Sequence, residues 1–527
     1  MSESKTNPAA DSERKGEIWC YTDCLSYAPG ETVAFHISCK QPSYSIEIAR
    51  LGAKREVVWE RRESSGEWHG IPEKANETGC DWPLSFTMEI PTDWRSGYYQ
   101  IVVRADGVEG RWRESEHFFV LRSANPGRDS KILFVLSTNT YLAYNSWGGG
   151  SLYSSKSVFD FHAQKANRAS ILRPFEPGLL SKFPGAPRTA FAPGQKPGMM
   201  EQQGRPYRPF SIEAQVDYWT VASGFAGRWE EIFVKWLEEN EYSVDYATQY
   251  DLDRDPELLE PYQLYLSVGH DEYWSWQERD VLEGWIDRGG RLAMFSGNSV
   301  FWQVRFEDDG KTMVCYKYDA PQQDPVIGTA EEKYATTLWS SRTINRPENR
   351  LTGVSMTRGG YARTGMTVPR GAGGYTIYRS DHWAFEGTGL EYGDVLGSEE
   401  GIVGYENDGC AFAFRDGLPY PTGEDGSPID MEILAMAPAS LGERLDRGYT
   451  NLLLGESDLA LAAREVLGED TPENRNRLRH GNAMIVSFCS GLGKVFNSGG
   501  TEWAYGIKGG NPFVERITHN VLRKFLQ

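Results

Sequence analysis

The sequence is 527 residues long and carries a formal net charge of −19. That length exceeds one ordinary core and predicts two or three domains, while the acidic balance speaks against nucleic acid or an anionic membrane surface as partner. No run approaches the roughly 18 consecutive apolar residues of a membrane span, so no membrane association is expected.

In chain order, residues 1–16 are polar and charged and lack the apolar core of a signal peptide. Residues 17–122 predict an all-β, immunoglobulin-like sandwich. Ile18-Trp19-Cys20-Tyr21, Thr32 to Ile37, Ser45 to Ile48, Tyr98 to Val103 and His117 to Val120 are short β-rich runs, separated by turn signals such as Pro29-Gly30 and Ser96-Gly97. Cys20 and Cys24 have no second pair or nearby histidine to complete a zinc pattern, and the odd total of seven cysteines predicts free thiols in a cytoplasmic protein. Residues 123–130, beginning Ser123-Ala124-Asn125-Pro126-Gly127, read as a linker.

Residues 131–527 predict an α/β catalytic domain. Ile132 to Leu136 is a continuous apolar run, like a first parallel strand, and a loop rich in Tyr, Asn and Gly follows it to Gly150. The stretch 175–228 is rich in Pro and Gly, and its aromatic content predicts a packed lid. Ile232, Phe233, Trp236 and Leu237 then fall at helical spacing. Tyr242 to Tyr246, Leu264 to Val268 and Arg291 to Phe295 read as strands, and Ser275 with Glu278 forms a capping box that opens a helix. A β-rich insertion is expected over about 305–400. Ile402 to Glu406, Cys410 to Phe414 and Met484 to Phe488 are further strands, and Val514, Ile517, Val521, Leu522 and Phe525 mark a C-terminal helix. The alternation of strand and helix predicts a doubly wound, mostly parallel sheet.

Such a sheet places ligands at the carboxyl ends of its strands. Four ends carry polar residues: Tyr144 and its neighbours, His270 with Glu272, Asn298, and Glu406. Each has a structural explanation of its own. Glu272 can bias the following helix N-terminus, His270 can be a hydrogen-bonded core histidine, Asn298 a turn residue, and Glu406 the flank of a hairpin. Their convergence on one sheet edge favours a site. No nucleophile elbow, Walker loop or dinucleotide fingerprint is present, and eight scattered histidines make a histidine-rich zinc site hard to build. The remaining donors are oxygen-rich; hard oxygen donors suit hard cations, and phenolate suits ferric iron.

Asn139-Thr140-Tyr141-x-Ala143-Tyr144-Asn145-x-Trp147-Gly148-Gly149, Gly269-His270-Asp271-Glu272-Tyr273-Trp274-Ser275 and Gly297-Asn298-Ser299-x-x-Trp302-Gln303-x-Arg305 resemble the large subunit of N,N-dimethylformamidase. Phe385-Glu386-Gly387-Thr388-Gly389-Leu390, Gly404-Tyr405-Glu406 and Gly499-Gly500-Thr501-Glu502-Trp503-Ala504 extend the likeness over about 128–527. The resemblance implies a catalytic domain similar to class I glutamine amidotransferases. It also implies a mononuclear Fe3+ site, held by two tyrosinates and a glutamate, that hydrolyses small amides such as N,N-dimethylformamide to acid and amine. Glu272 matches the iron-binding glutamate and Tyr144 one tyrosine, with Tyr141 its competitor. His270, Asn298 and Glu406 match the catalytic positions around the metal, Glu406 as general base. Where the family has Arg-Pro-Tyr this chain has Arg173-Pro174-Phe175, and Gly204-Arg205-Pro206-Tyr207 further on offers Tyr207 as the second phenol. A homo-oligomer with a small accessory subunit is implied as well. Two other readings stay open: hydrolysis of another amide or urea-type C–N bond, and a non-catalytic binding or assembly protein with a degenerate site.

Overall fold

The computed structural model describes residues 16–153, 165–190, 210, 213, 223–363, 371–442 and 453–527. In the first part of the chain, alternation of apolar and polar residues builds two facing sheets. Ile18–Thr22, Thr32–Cys39 and Phe86–Glu89 form a three-stranded antiparallel sheet. Ser26–Tyr27, Glu114–Leu121, Gly97–Ala105, Ser43–Leu51 and Arg55–Ser65 form a five-stranded one, in that order. Val33, Phe35 and Ile37 on one sheet meet Ile46, Ile48, Tyr99 and Ile101 on the other in a shared core. Arg55–Ser65 was not legible as a strand: it is an exposed, charged edge, as edges that must resist further pairing often are, and it carries no buried alternation.

The second part is built on one large sheet, and here the expected doubly wound, mostly parallel, class I glutamine amidotransferase-like fold is corrected. The order is Asp245–Thr248, Ile132–Leu136, Leu264–His270, Arg291–Gly297, Gly493–Asn497, His480–Ser490, Glu432–Ser440, Ser355–Tyr361 and Glu406–Gly409. The first five strands pair in parallel, but every pairing from Gly493–Asn497 onward is antiparallel. With further antiparallel sheets elsewhere, strand outweighs helix, 33% against 22%. The sequence pattern marks apolar runs as strands but carries no sign of their direction, so the antiparallel half looks the same in sequence as the parallel one.

Local signals explain what positions the site. Ile132–Leu136 and Leu264–His270 are buried along their whole length, as expected for strands covered on both faces. The capping box of Ser275 and Glu278 starts the helix Trp276–Asp287. A small sheet sets Tyr273 parallel and in register with Trp302, which brings the Trp302 indole beside Glu272. Of the 175–228 stretch, Leu179, Leu180 and Phe225 are buried; residues 191–209, Tyr207 included, lie outside the described residues. Among the described residues no helix is long and apolar enough to cross a membrane.

Candidate active site

Two backbone features deliver the parallel half's polar residues to one point. Gly269 has φ +84, and a Cβ there would come within 2.9 Å of Trp229, so only glycine lets the strand pass under that indole before His270. After Arg291–Gly297 the chain turns through Asn298 (φ 48) and Val300 (φ 55), both in left-handed backbone that non-glycine residues rarely adopt. Asp408 holds this turn by accepting the backbone N–H of Asn298 (3.0 Å) and of Ser299 (3.1 Å).

Glu272 is the hub. Its Oε1 accepts from Trp302 Nε1 at 2.8 Å, and both its oxygens accept from the Tyr153 hydroxyl at 2.9 Å. Tyr144, the last residue of the helix Thr138–Tyr144, donates its hydroxyl to Glu272 Oε2 at 3.4 Å. His270 Nε2 lies 3.2 Å from Glu272 Oε2 and 2.7 Å from Glu406 Oε2. Asn298 Nδ2 donates to Glu406 Oε2 at 3.3 Å. Glu272, Tyr144, His270, Asn298 and Glu406, read from four separate strand ends, thus stand together, all buried.

The electrostatics follow from burial and pairing. Burial alone would lower the His270 pKa, but Glu406 and Glu272 outweigh it and raise it to about 10, so the imidazole is held as a cation. Burial pushes Glu272 up, yet His270 and the Lys317 ammonium hold its carboxyl below the ordinary value. Burial, then the Glu272 charge, raises the Tyr144 and Tyr153 phenols well above 10. Among the described residues the buried Lys317 Nζ has no hydrogen-bond partner, and it sits 3.1 Å from the Tyr153 ring centroid.

Other expected residues do not join the site. Tyr141 hydrogen-bonds Glu230 instead. Phe175 packs between His117 (5.3 Å) and Phe118 (5.5 Å), against the N-terminal sheets. The phenol beside Tyr144 at Glu272 is Tyr153, a residue absent from the candidates that the sequence offers. Its one signal was its place in the same aromatic loop. Asp458, in the helix Leu453–Leu467, was also missed; it lines a cavity of about 40 Å³ together with Tyr144, Tyr153, Glu272, Asn298 and Glu406.

Tyr144, Tyr153 and Glu272 bring two phenols and a carboxylate to one place, a donor set that suits a hard, highly charged cation. Among the described residues no group of three or more His, Cys, Asp or Glu side chains is arranged to hold a metal, so any metal here would take its ligands from the phenols as well.

A mixed sheet with a closed centre of phenol, carboxylate and imidazole at its strand ends defines a buried polar site fed by oxygen donors. The chain belongs to the N,N-dimethylformamidase beta subunit-like, C-terminal family, whose model matches residues 45–516. Among curated relatives, the N,N-dimethylformamidase beta subunits of an Alcaligenes species and of Paracoccus aminophilus are each 25% identical, over 230 and 232 residues. Each match covers 43% of this chain and 28% of the relative, so the chain aligns with under a third of those proteins. Among solved structures, the sporulation control protein Spo0M of Bacillus subtilis matches 21% of this chain and 50% of its own at 14% identity, with a TM-score of 0.15, too low to bear on the fold.

Proposed function

We propose that this protein is an amidohydrolase that cleaves the C–N bond of a small linear amide at a mononuclear ferric site held by Tyr144, Tyr153 and Glu272. The observation that carries this reading is the approach of two phenols, the buried Tyr144 and the half-buried Tyr153, to Glu272, next to the Glu406–His270 pair. It replaces Tyr207 with Tyr153 as the second tyrosine. Burial and the Glu272 charge hold both phenols neutral, so it is the charge of the bound trivalent cation that would ionise them.

When bound, ferric iron supplies Lewis acidity toward the amide carbonyl and toward water. Glu406 takes a proton from the water that attacks the amide carbon, and returns it to the nitrogen as the C–N bond breaks. Cationic His270 fixes the Glu406 carboxylate at 2.7 Å, and Asn298 Nδ2 holds the same oxygen. The products are a carboxylic acid and an amine. The relatives are named beta subunits, which supports assembly of this chain into an oligomer with a small accessory subunit. The free cysteines fit a reducing, cytoplasmic compartment.

Protein expressed with ample iron should contain one iron per chain, show a phenolate-to-iron absorption band and release amine from small amides. Glu272→Ala should lose the band, whereas Glu406→Gln should keep it and lose turnover. Colourless, iron-free protein would sink the metal assignment, and coloured protein inert toward a panel of small amides would sink the activity.

A further inference from the structure

Part of the cavity has no role in the reaction above. Asp458 accepts the Tyr318 hydroxyl on one oxygen and the Tyr361 hydroxyl on the other, both at 2.6 Å, and all three side chains line the cavity. A carboxylate has about four acceptor positions, so about two of them remain. Asn298 adds another acceptor. Asn298 Nδ2 donates to Glu406 Oε2 at 3.3 Å and lies 3.3 Å from His270 Nε2, which leaves Oδ1 at the other end of the amide. That Oδ1 is buried and receives no hydrogen bond from the described residues, in a residue only 3% exposed.

The donors around the cavity are committed elsewhere. Tyr318 and Tyr361 serve Asp458, while Trp302, Tyr144 and Tyr153 serve Glu272. Away from the metal ligands, the cavity offers acceptors in search of donors, an arrangement that is unfavourable until a ligand supplies them.

We propose that Asp458 and Asn298 Oδ1 form a nitrogen subsite that selects amides bearing at least one N–H, so that the substrates are primary and N-monosubstituted amides rather than N,N-dialkyl amides. This deepens, and rests on, the amidohydrolase reading above. A tertiary amide brings a carbonyl acceptor and no donor; it sets methyl groups against Asp458 and leaves both acceptors unmet. An N–H amide donates to them on binding. When the C–N bond breaks and the nitrogen takes its proton from Glu406, the departing amine has one N–H more than the amide had, so the subsite holds the nitrogen most strongly as it becomes a leaving group.

N-Ethylformamide and N,N-dimethylformamide are isomers, one with an N–H and one without, and so separate hydrogen bonding from size. Iron-loaded protein should show a kcat/KM at least ~10-fold higher for N-ethylformamide, a modest value for a site built to bond an N–H. Asp458→Asn, which turns an N–H as well as an oxygen toward the substrate, should shrink that ratio. If Asp458 merely fastened the helix Leu453–Leu467 to Tyr318 and Tyr361, both values would fall together and the ratio would stand. Calorimetric titration of Glu406→Gln protein with the two isomers makes the same comparison without turnover. Tighter binding of N-ethylformamide with no hydrolysis of either isomer by the wild type would overturn the amidohydrolase reading and uphold the subsite. Cleavage or binding of N,N-dimethylformamide equal to or better than that of its isomer would overturn the subsite and leave the amidohydrolase reading in place. Failure of both isomers to bind or react overturns both.

Discussion

Glu272 gathers hydrogen bonds from Trp302, Tyr153 and Tyr144 onto two carboxylate oxygens while lying 3.2 Å from His270. In the proposed site the ligand roles follow from reach, and reach excludes Phe175, which fills core between His117 and Phe118. Tyr153→Phe is therefore expected to lose iron and the visible band, as Tyr144→Phe should. Adding Phe175→Tyr to Tyr153→Phe should restore neither, because the new phenol would face the N-terminal sheets. Iron content by elemental analysis and the visible spectrum test this, and recovery of colour in the double variant would reverse the assignment. Glu272, His270 and Asn298 were legible because each stands where an apolar strand gives way to polar residues; Glu406, expected to close a strand running from Ile402, instead opens the strand Glu406–Gly409. Tyr153 was not legible, since it follows Gly148-Gly149-Gly150 in a loop with no periodic pattern. Asp458 sits among leucines and alanines in a helix, where one aspartate reads as a solvent-facing position.

At the scale of elements, the turn after Arg291–Gly297 is held in an unfavourable backbone geometry by a residue from the far edge of the sheet. Asp408 lies in Glu406–Gly409, and its carboxylate accepts the two backbone N–H groups at which the strained residues begin. Gly297 allows the approach, since a Cβ there would meet Thr501 N at 2.6 Å and Glu406 O at 2.7 Å. Asp408→Ala strands two buried donors, each worth about 1–3 kcal/mol, so chemical denaturation should show a loss of roughly 2–6 kcal/mol. Turnover should fall as well, because Asn298 is released from Glu406. A stability change under about 0.5 kcal/mol would mean that the turn is held by other contacts, such as Val300 N to Asp271 O. Single elements of this kind were readable beforehand: the capping box at Ser275, the buried strand into His270 and the C-terminal helix with Val514, Ile517, Val521, Leu522 and Phe525 inward. Their assembly was not. Strand direction depends on connections across 305–400, whose Gly-rich irregular segments carry no periodic signal, and so the antiparallel half that supplies Glu406 and Asp408 stayed hidden.

Across the whole molecule, the N-terminal sheets and the large sheet share one apolar core rather than meeting through a wet contact. Tyr98 stacks on Phe225 at 4.1 Å, Phe118 packs against Tyr141 and Phe175, and Arg50 pairs with Glu238 at 2.6 Å across the same boundary. His117 is buried within it. Its Nε2 lies 3.2 Å from the Thr22 N–H and 2.9 Å from the Thr22 hydroxyl, its Nδ1 has no partner among the described residues, and Phe118 and Phe175 flank the ring. Burial lowers its pKa to about 3. The native state therefore keeps His117 neutral at a pH where the unfolded chain, with a histidine pKa of about 6.5, binds a proton. Stability from this residue is fully present above about pH 6.5 and is lost as the pH falls toward 3, at about 1.4 kcal/mol per pH unit within that window. His117→Gln keeps an acceptor for Thr22 and removes the titration. Between pH 6.5 and 5 the wild type should lose about 2 kcal/mol more than the variant, read from denaturant unfolding at each pH. Because the core is continuous, the loss should appear in a single transition that takes the site with it, so the iron band and the far-ultraviolet signal should disappear together. Parallel pH curves for wild type and variant would show that His117 does not set the acid limit. A first transition that leaves the band intact would show that the two parts of the molecule come apart independently.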